Sequence, residues 1–257
     1  MSESPKIELV QAIEDHAALL ALCSQRAYEK AAEDHEQKAW GPRGYKSAKD
    51  QLYYIEKLET YSIVYDEIIV GGFVVSDNGF GVKEIVRIFV DPDFQRNGIA
   101  STALSLLMEL SEAKAWTGGT IKWNTANQRF LEKNGFEKLG EITGDEPFVW
   151  YQKTLDEPEL PSIKELNEDM RRVTVEGEIV EKAVARSVRS RRGYQTLTVT
   201  EATLKDKSDD VVLMLWNEQI KQCKVGDHVR IEGGYVKNYR GMRQLNVGKT
   251  GSLITLN

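Results

Sequence analysis

Two stretches of the 257-residue chain carry residue types and spacings that can do chemistry. The first is IVRIFVDPDFQRNGIASTALSLLMEL, in which an apolar run ending at Val90 meets Pro92 and then Gln95-Arg96-Asn97-Gly98-Ile99-Ala100 opens a helical pattern. The first amides of a helix lack intrahelical acceptors and sit at the positive end of its dipole, so such a start can hold a pyrophosphate. Gly98 and Ala100 are small enough to let phosphate oxygens reach the main chain. An ordinary strand-to-helix connection containing a glycine would read the same from these six residues alone. Glu84, six positions before Val90 on the same expected strand, is placed on the same side as Val90 by a period of two. A carboxylate there can take a proton from an amine directly or through a water, and a solvent-facing strand-edge Glu is the plain alternative.

The second stretch lies near the C-terminus. Arg186, Arg189, Arg191 and Arg192 crowd a loop that ends at Gly193, and Trp216, Tyr235 and Tyr239 stand among Lys237, Arg240, Arg243 and Gln244. Aromatics that stack on bases while cations follow phosphates are the means of holding single-stranded nucleic acid. Core packing is the competing use for each ring. The charge distribution agrees with a phosphate-facing role. Residues 171–257 hold 16 Lys and Arg against 10 Asp and Glu, whereas residues 1–170 hold 18 against 30.

The elements that must position these groups follow from periodicity. IELVQAI predicts a strand, DHAALLALCSQRAYEKAAED a helix with one apolar face, and SAKDQLYYIEKLE a second helix. TYSIVYD, IIVGGFVVSD and VKEIVRIFV predict three strands, with hairpin turns at Asp66-Glu67 and Asn78-Gly79. A helix over 98–112, a strand TIKW, a short helix over 127–134 and two closing strands complete a mixed α+β layout. Pro158 and Pro161, in an acidic stretch, predict a connection, and SIKELNEDM a short helix capped by Ser162 with Glu165 at the capping-box position. The expected organisation is a domain over 1–157, a linker over 158–171 and a domain over 172–257. The last reads as five strands, VTVEGEIVEKAVA, YQTLTVTEATL, DVVLMLW, HVRIEGGYVKNY and RQLNVG, with a short helix NEQIKQ, which suits a small all-β barrel.

Gln-x-x-Gly-x-Ala after a Val-Asp-Pro strand end resembles motif A of the GNAT acetyltransferases, and IKWNTANQRFLEKNGFEKLGE resembles their motif B. Asn124 falls eleven residues before Gly135, and Phe130, Glu132, Lys133 and Gly135-Phe136 fit as well. The resemblance covers about residues 6–155. It implies a sheet flanked by helices and split into a V between the strands ending at Val90 and beginning near Thr120, with acetyl-CoA as co-substrate in the gap. It also implies that Gln95, Arg96, Asn97, Gly98, Ile99, Ala100, Ser101 and Asn124 bind the cofactor, that amides around Phe89 and Val90 polarise the thioester, and that Glu84 is the general base. One departure stands out: the family often has Tyr four residues before the motif B glycine, as acid for the leaving thiolate, and Leu131 is here. A thiol with a pKa of about 8.5 leaves tolerably without that help. The loop AAEDHEQKAWGPRGYKS, with Glu33, Asp34 and Glu36 and with Trp40 and Tyr45, is the candidate amine-binding segment.

The C-terminal stretch, above all GYVKNYRGMRQLNVG, resembles the OB-folds of archaeal single-stranded DNA-binding proteins and their eukaryotic relatives. That resemblance implies base stacking on Trp216, Tyr235 and Tyr239, with KDKSDDV standing where the family has an Asp-x-x-Gly turn. The expected partners are thus single-stranded DNA or RNA and an amine acceptor, taken to be on a protein. A non-catalytic acetyl-CoA sensor that binds nucleic acid is the alternative. No metal is expected, because Cys23, Cys223, His16, His35 and His228 lie without neighbours at ligand spacing. With no run of about 20 apolar residues and no signal-like opening in MSESPKIELV, the expectation is a cytoplasmic protein without membrane contact.

Overall fold

The computed structural model describes residues 6–143, 146–156, 159–168, 170–189 and 196–256. The chain divides into two compact units, Met1–Pro158 and Glu159–Asn257. The first unit runs β1 (Ile7–Gln11), α1 (Ala17–Asp34), α2 (Ala48–Lys57), β2 (Glu59–Tyr65), β3 (Ile68–Asp77), β4 (Val82–Val90), α3 (Ile99–Glu109), β5 (Ala115–Ile121), α4 (Thr125–Lys133), β6 (Glu137–Ile142) and β7 (Phe148–Thr154). Its sheet has the order β1-β2-β3-β4-β5-β7-β6. Among the described residues of this sheet only β4 and β5 pair in parallel. Each face of the sheet carries an apolar layer. Ile63, Phe73, Ile85, Val90 and Trp116 pack with Ile99, Ala103, Leu104 and Leu107 of α3. On another cluster, Leu20, Cys23 and Ala27 of α1 pack with Phe89.

Two details of this sheet decide where the site lies. Strand β5 begins at Ala115, five residues before the expected Thr120, because AWTGGTI contains two glycines that weaken its strand signal. The glycine at 119 is a packing requirement, since a Cβ there would come within 2.5 Å of the Phe148 ring. Parallel pairing runs from Val82↔Ala115 to Ile85↔Gly118 and then stops. Beyond that point Val86–Val90 and Gly119–Ile121 have no ladder between them, which is the V-shaped split. The second detail is a bulge: Val74 faces Arg87 while Val75 faces Ile85, so Val86 is an extra residue in β4. The bulge reverses the alternation, and Ile85 and Val90 share one core cluster although five positions separate them.

The second unit runs β8 (Arg171–Lys182), β9 (Arg186–Arg189), β10 (Thr196–Lys205), β11 (Asp210–Trp216), β12 (His228–Tyr239) and β13 (Met242–Leu256). The strand order β11-β13-β12-β8-β10-β9, with an added β10–β11 pairing, closes five of these strands into an OB-fold barrel. The four-residue β9 extends one edge of β10. Val175, Ile179, Leu204, Leu213, Ile231 and Leu245 fill the interior. Ile163 and Leu166, in the stretch read as a connection, are buried in that same core. The segment there is a single 3-10 turn, Ile163–Glu165, closed by the Ser162–Glu165 capping box.

KDKSDDV turns without a glycine. The Asp206 carboxylate accepts from the Ser208 and Asp209 amides at 2.7 and 3.0 Å and from the Ile163 amide at 2.8 Å. Partial burial pushes the Asp206 carboxyl up, but the Ser208 hydroxyl, which donates at 2.6 Å, and these amides outweigh it and hold the group at about 2. No helix among the described residues is long and apolar enough to cross a membrane.

Candidate functional site

The N-terminal site is built from the end of β4 outward. Asp91, almost buried, accepts from the Asp93 amide at 3.1 Å and pairs with Arg26 at 2.8 Å, so the chain leaves the sheet along a fixed path. Gln95 turns back to donate to the Val90 carbonyl at 2.7 Å. Arg96 and Gly98 both have positive φ, 65° and 78°, and Gly98 is the N-cap of α3. A left-handed residue costs a non-glycine side chain energy, so conformation is what calls for glycine at 98; a Cβ there would meet no protein atom within 4 Å. The loop curls its backbone round the start of α3, where the amides of residues 99–101 have no intrahelical acceptor.

Facing this loop is a cleft of about 480 Å³, walled by β4, the loop, the end of α1 and one face of α4. Phe89, Val90, Gln95, Arg96, Gly98, Ile99, Ala100, Ser101 and Asn124 all line it, and Asn97 does not. Asn124 also caps α4, accepting from the Asn127 amide at 3.0 Å. Two further cations, Arg129 and Lys133, join Arg96 in the wall; Lys133 fits motif B with no binding role implied there, and no motif singles out Arg129. A spacing signal for them exists. Ala126, Arg129, Phe130 and Lys133 follow i, i+3, i+4, i+7 and so share one face of α4.

A second, smaller cavity of about 60 Å³ continues into the split between β4 and β5. Ile85–Ile88 and Gly118–Ile121 form its walls, and Tyr28, Ile88, Asn124 and Asn127 line both cavities. Leu131, 2% exposed, is part of the core and of this wall, so no phenol stands at that position. Burial pushes the Tyr28 phenol up to about 12 despite the nearby Arg87, which keeps Tyr28 a neutral donor.

Glu84 requires a correction. The bulge at Val86 undoes the argument from a period of two, and Glu84 lies on the face opposite to Val90 and Ile85, the face that carries Arg87 and Phe89. It is half-buried, within 3.5 Å of the Asn78 amide, and lines neither cavity. The acidic loop cluster is also partly spoken for, since Lys30 pairs with Glu33 at 3.2 Å and with Asp34 at 2.7 Å. Trp40 does reach the small cavity. It meets Tyr28 and Trp123 edge-on, with centroids at 6.4 and 5.4 Å, and donates to Glu146 at 3.0 Å. Tyr45 hydrogen-bonds to Glu29 at 3.1 Å and lines neither cavity.

On the barrel, β12 presents Tyr235, Lys237 and Tyr239 on one side while Val236 is buried. Register extends this side across the neighbouring strands: Tyr235 faces Asn246 and Asn246 faces Met214, while Lys237 faces Gln244 and Gln244 faces Val212. Trp216, two residues past Met214 on β11, belongs to the same side. The ammonium of Lys237 sits 5.1 Å from the Tyr235 ring, and Arg240 5.3 Å from that of Tyr239. Tyr239 is 53% exposed. Burial pushes the Tyr235 phenol up, against a smaller opposing effect of Arg171, so this ring remains neutral.

Arg243 does not join this surface. Alternation puts it on the side of Leu245, at the barrel mouth. There it donates to the Lys164 and Leu166 carbonyls at 3.3 and 2.9 Å and pairs with Asp209 at 2.8 Å. Arg189 is exposed on β9, and Arg186 pairs with Glu201. Arg191 and Arg192 lie outside the described residues. Among the described residues no group of three metal-ligating side chains is found.

Comparison with known proteins gives each unit its class. Residues 13–136 match the acetyltransferase (GNAT) family, and residues 166–255 match the Ssb-like OB fold of single-stranded DNA-binding proteins. The chain thus carries a GNAT acetyltransferase domain followed by an Ssb-like OB-fold. A GNAT-family acetyltransferase of Streptococcus agalactiae has the same N-terminal fold, with a TM-score of 0.53 at 19% identity over 59% of this chain and 96% of that one. The single-stranded DNA-binding protein Ssb of Saccharolobus solfataricus is 31% identical over 83 residues, 32% of this chain. The match spans about half, 55%, of that relative.

Proposed function

We propose that this protein is an acetyl-CoA-dependent N-acetyltransferase whose barrel holds it on single-stranded DNA or RNA. The observation that carries the enzymatic half is the large cleft, in which the free amides at the start of α3 and the cations Arg96, Arg129 and Lys133 face one another. That set suits the phosphates of acetyl-CoA. The split beside it leaves the β4 edge from Val86 to Val90 without a strand partner on the β5 side, available to a pantetheine arm and a thioester carbonyl.

Glu84, on the face shared with Arg87, takes the amine proton through a water in this reading. At pH 7.5 roughly a third of an α-amine but only about 0.1% of a lysine amine is already unprotonated. An α-amine therefore asks less of a base that stands back from the cavity. The thiolate leaves unaided or with a proton from solvent, since Leu131 offers none. We take the acceptor to be an amine of a protein, brought near by a shared strand of nucleic acid, which raises its effective concentration without new contacts in the cleft.

Release of CoA by the full chain with a panel of amines tests the enzyme. Glu84→Gln is expected to slow turnover by about 10²-fold or more while acetyl-CoA affinity stays within a factor of two. A wild-type pH–rate profile in that variant would remove Glu84 from the mechanism. The buried Leu131 favours a second reading, a non-catalytic acetyl-CoA sensor, and absence of CoA release with every amine while acetyl-CoA still binds would select it.

A further inference from the structure

The small cavity in the split contains one unexpected group. Its walls are largely apolar and aromatic, with Tyr28, Trp40 and Phe148 among them, and Arg87 is the one charged residue among the described residues that line it. Arg87 is 5% exposed. One side of its guanidinium is occupied: Nη2 donates to the Arg43 carbonyl and, at 2.8 Å, to the Tyr54 hydroxyl, and the cation lies 4.4 Å from the Tyr54 ring centroid. Its other terminal nitrogen, Nη1, is buried with no hydrogen-bond partner, and no carboxylate pairs with Arg87 among the described residues. A buried, unpaired cation is costly, and a bound anion offsets that cost where a neutral or cationic group does not. With both N–H groups of Nη2 engaged, Nη1 is the terminal donor left to a carboxylate oxygen, a charge-assisted hydrogen bond.

We infer that this cavity selects its acceptor by charge: the amine acetylated here lies beside a carboxylate, which Arg87 binds. The inference rests on the acetyltransferase reading and names its substrate class. Size is compatible, because a void of about 60 Å³ exceeds what a single water needs. Charge agrees too, since a cationic chain would enter against Arg87. The carboxylate has two chemical sources, the side chain of an N-terminal Asp or Glu on a peptide and the α-carboxylate of a free amino acid.

Calorimetry on the full chain with CoA present tests this without turnover. The probes are two acetylated pentapeptides that differ only in Asp against Asn at the first residue, and N-acetylalanine, whose one carboxylate is the α-carboxylate, for the small-molecule source. Wild type should bind the Asp peptide (side-chain source) or N-acetylalanine (α-carboxylate source) at least about tenfold more tightly than the Asn peptide. Arg87→Gln should erase that preference, and Arg87→Lys, which keeps charge but loses the Nη1 donor, should retain only part of it. Thermal melting and CoA affinity verify that each variant is folded, and Arg87→Lys carries the test if Arg87→Gln is not. Equal affinity for all three probes in wild type, or a preference that survives both substitutions, would overturn the inference. Turnover of the unacetylated Asp peptide is measured separately. Charge-selective binding without any turnover sinks the acetyltransferase reading and leaves the subsite standing; turnover without selectivity does the reverse.

Discussion

The two units present their binding groups in opposite ways. The cleft of the first is concave and relies on main chain: a loop bent by Arg96 and Gly98, the open amides of α3, and a sheet whose central ladder stops at Ile85 and Gly118. The barrel of the second offers one side of a curved sheet, where Tyr235, Lys237, Tyr239 and Trp216 are displayed by strand alternation alone. A concave main-chain site depends on backbone shape at a few positions, so one substitution there removes binding. A side-chain platform spreads its affinity over several rings and cations, so each substitution should subtract a portion.

That contrast breaks most visibly at Gly98. Gly98→Asp adds a carboxylate where phosphate should sit, and acetyl-CoA affinity should fall by more than about 100-fold. Gly98→Asn bears the same left-handed strain with no charge, and nothing in the protein obstructs its Cβ, so it should lose far less. Calorimetry on both variants separates charge from shape, and equal losses would mean the loop fails through strain.

On the barrel, Tyr235→Ala and Tyr239→Ala should each weaken oligonucleotide binding by about 1–3 kcal/mol, with little change in salt dependence. Fluorescence anisotropy across a salt series gives both quantities. Complete loss from either single variant would make the barrel resemble the cleft, and no loss from both would leave it without a stacking role.

The finest distinction concerns two cations that look alike in sequence. Lys237→Ala should flatten the salt slope by about 0.7, as one phosphate contact on a single strand demands. Arg243→Ala should leave that slope unchanged and instead lower the melting temperature of the barrel, because it releases Asp209 and two carbonyls of the 164–166 segment. If Arg243→Ala changes the slope and not the melting temperature, its inward placement has no bearing on binding.

Local signals carried much of this protein. Gln95 to Ala100 is read from a strand end, a proline and small residues placed in order, and α3 does begin where these end. The alternation in GYVKNY places Tyr235 and Tyr239 together on one side of β12, and the positive-φ pair Asp66-Glu67 forms the expected hairpin turn. Each of these depends on neighbours within a few residues, and that range is what propensity and periodicity report.

Tertiary structure decided what depends on contacts between distant segments. The bulge at Val86 exists only as a mismatch between β3 and β4, and it moved Glu84 to the opposite face from the one that counting by twos assigns. The early start of β5 rests on Phe148 filling the space left by Gly119. Ile163 and Leu166 became core residues because the barrel interior accepts them, although prolines and acidic residues around them read as a connection. Arg243 turned inward because partners 34 to 79 positions away in the chain wait for it at the barrel mouth. Arg87, which no motif singled out, stands out for a terminal nitrogen, Nη1, left without an acceptor once buried, and that property belongs to no single stretch of sequence.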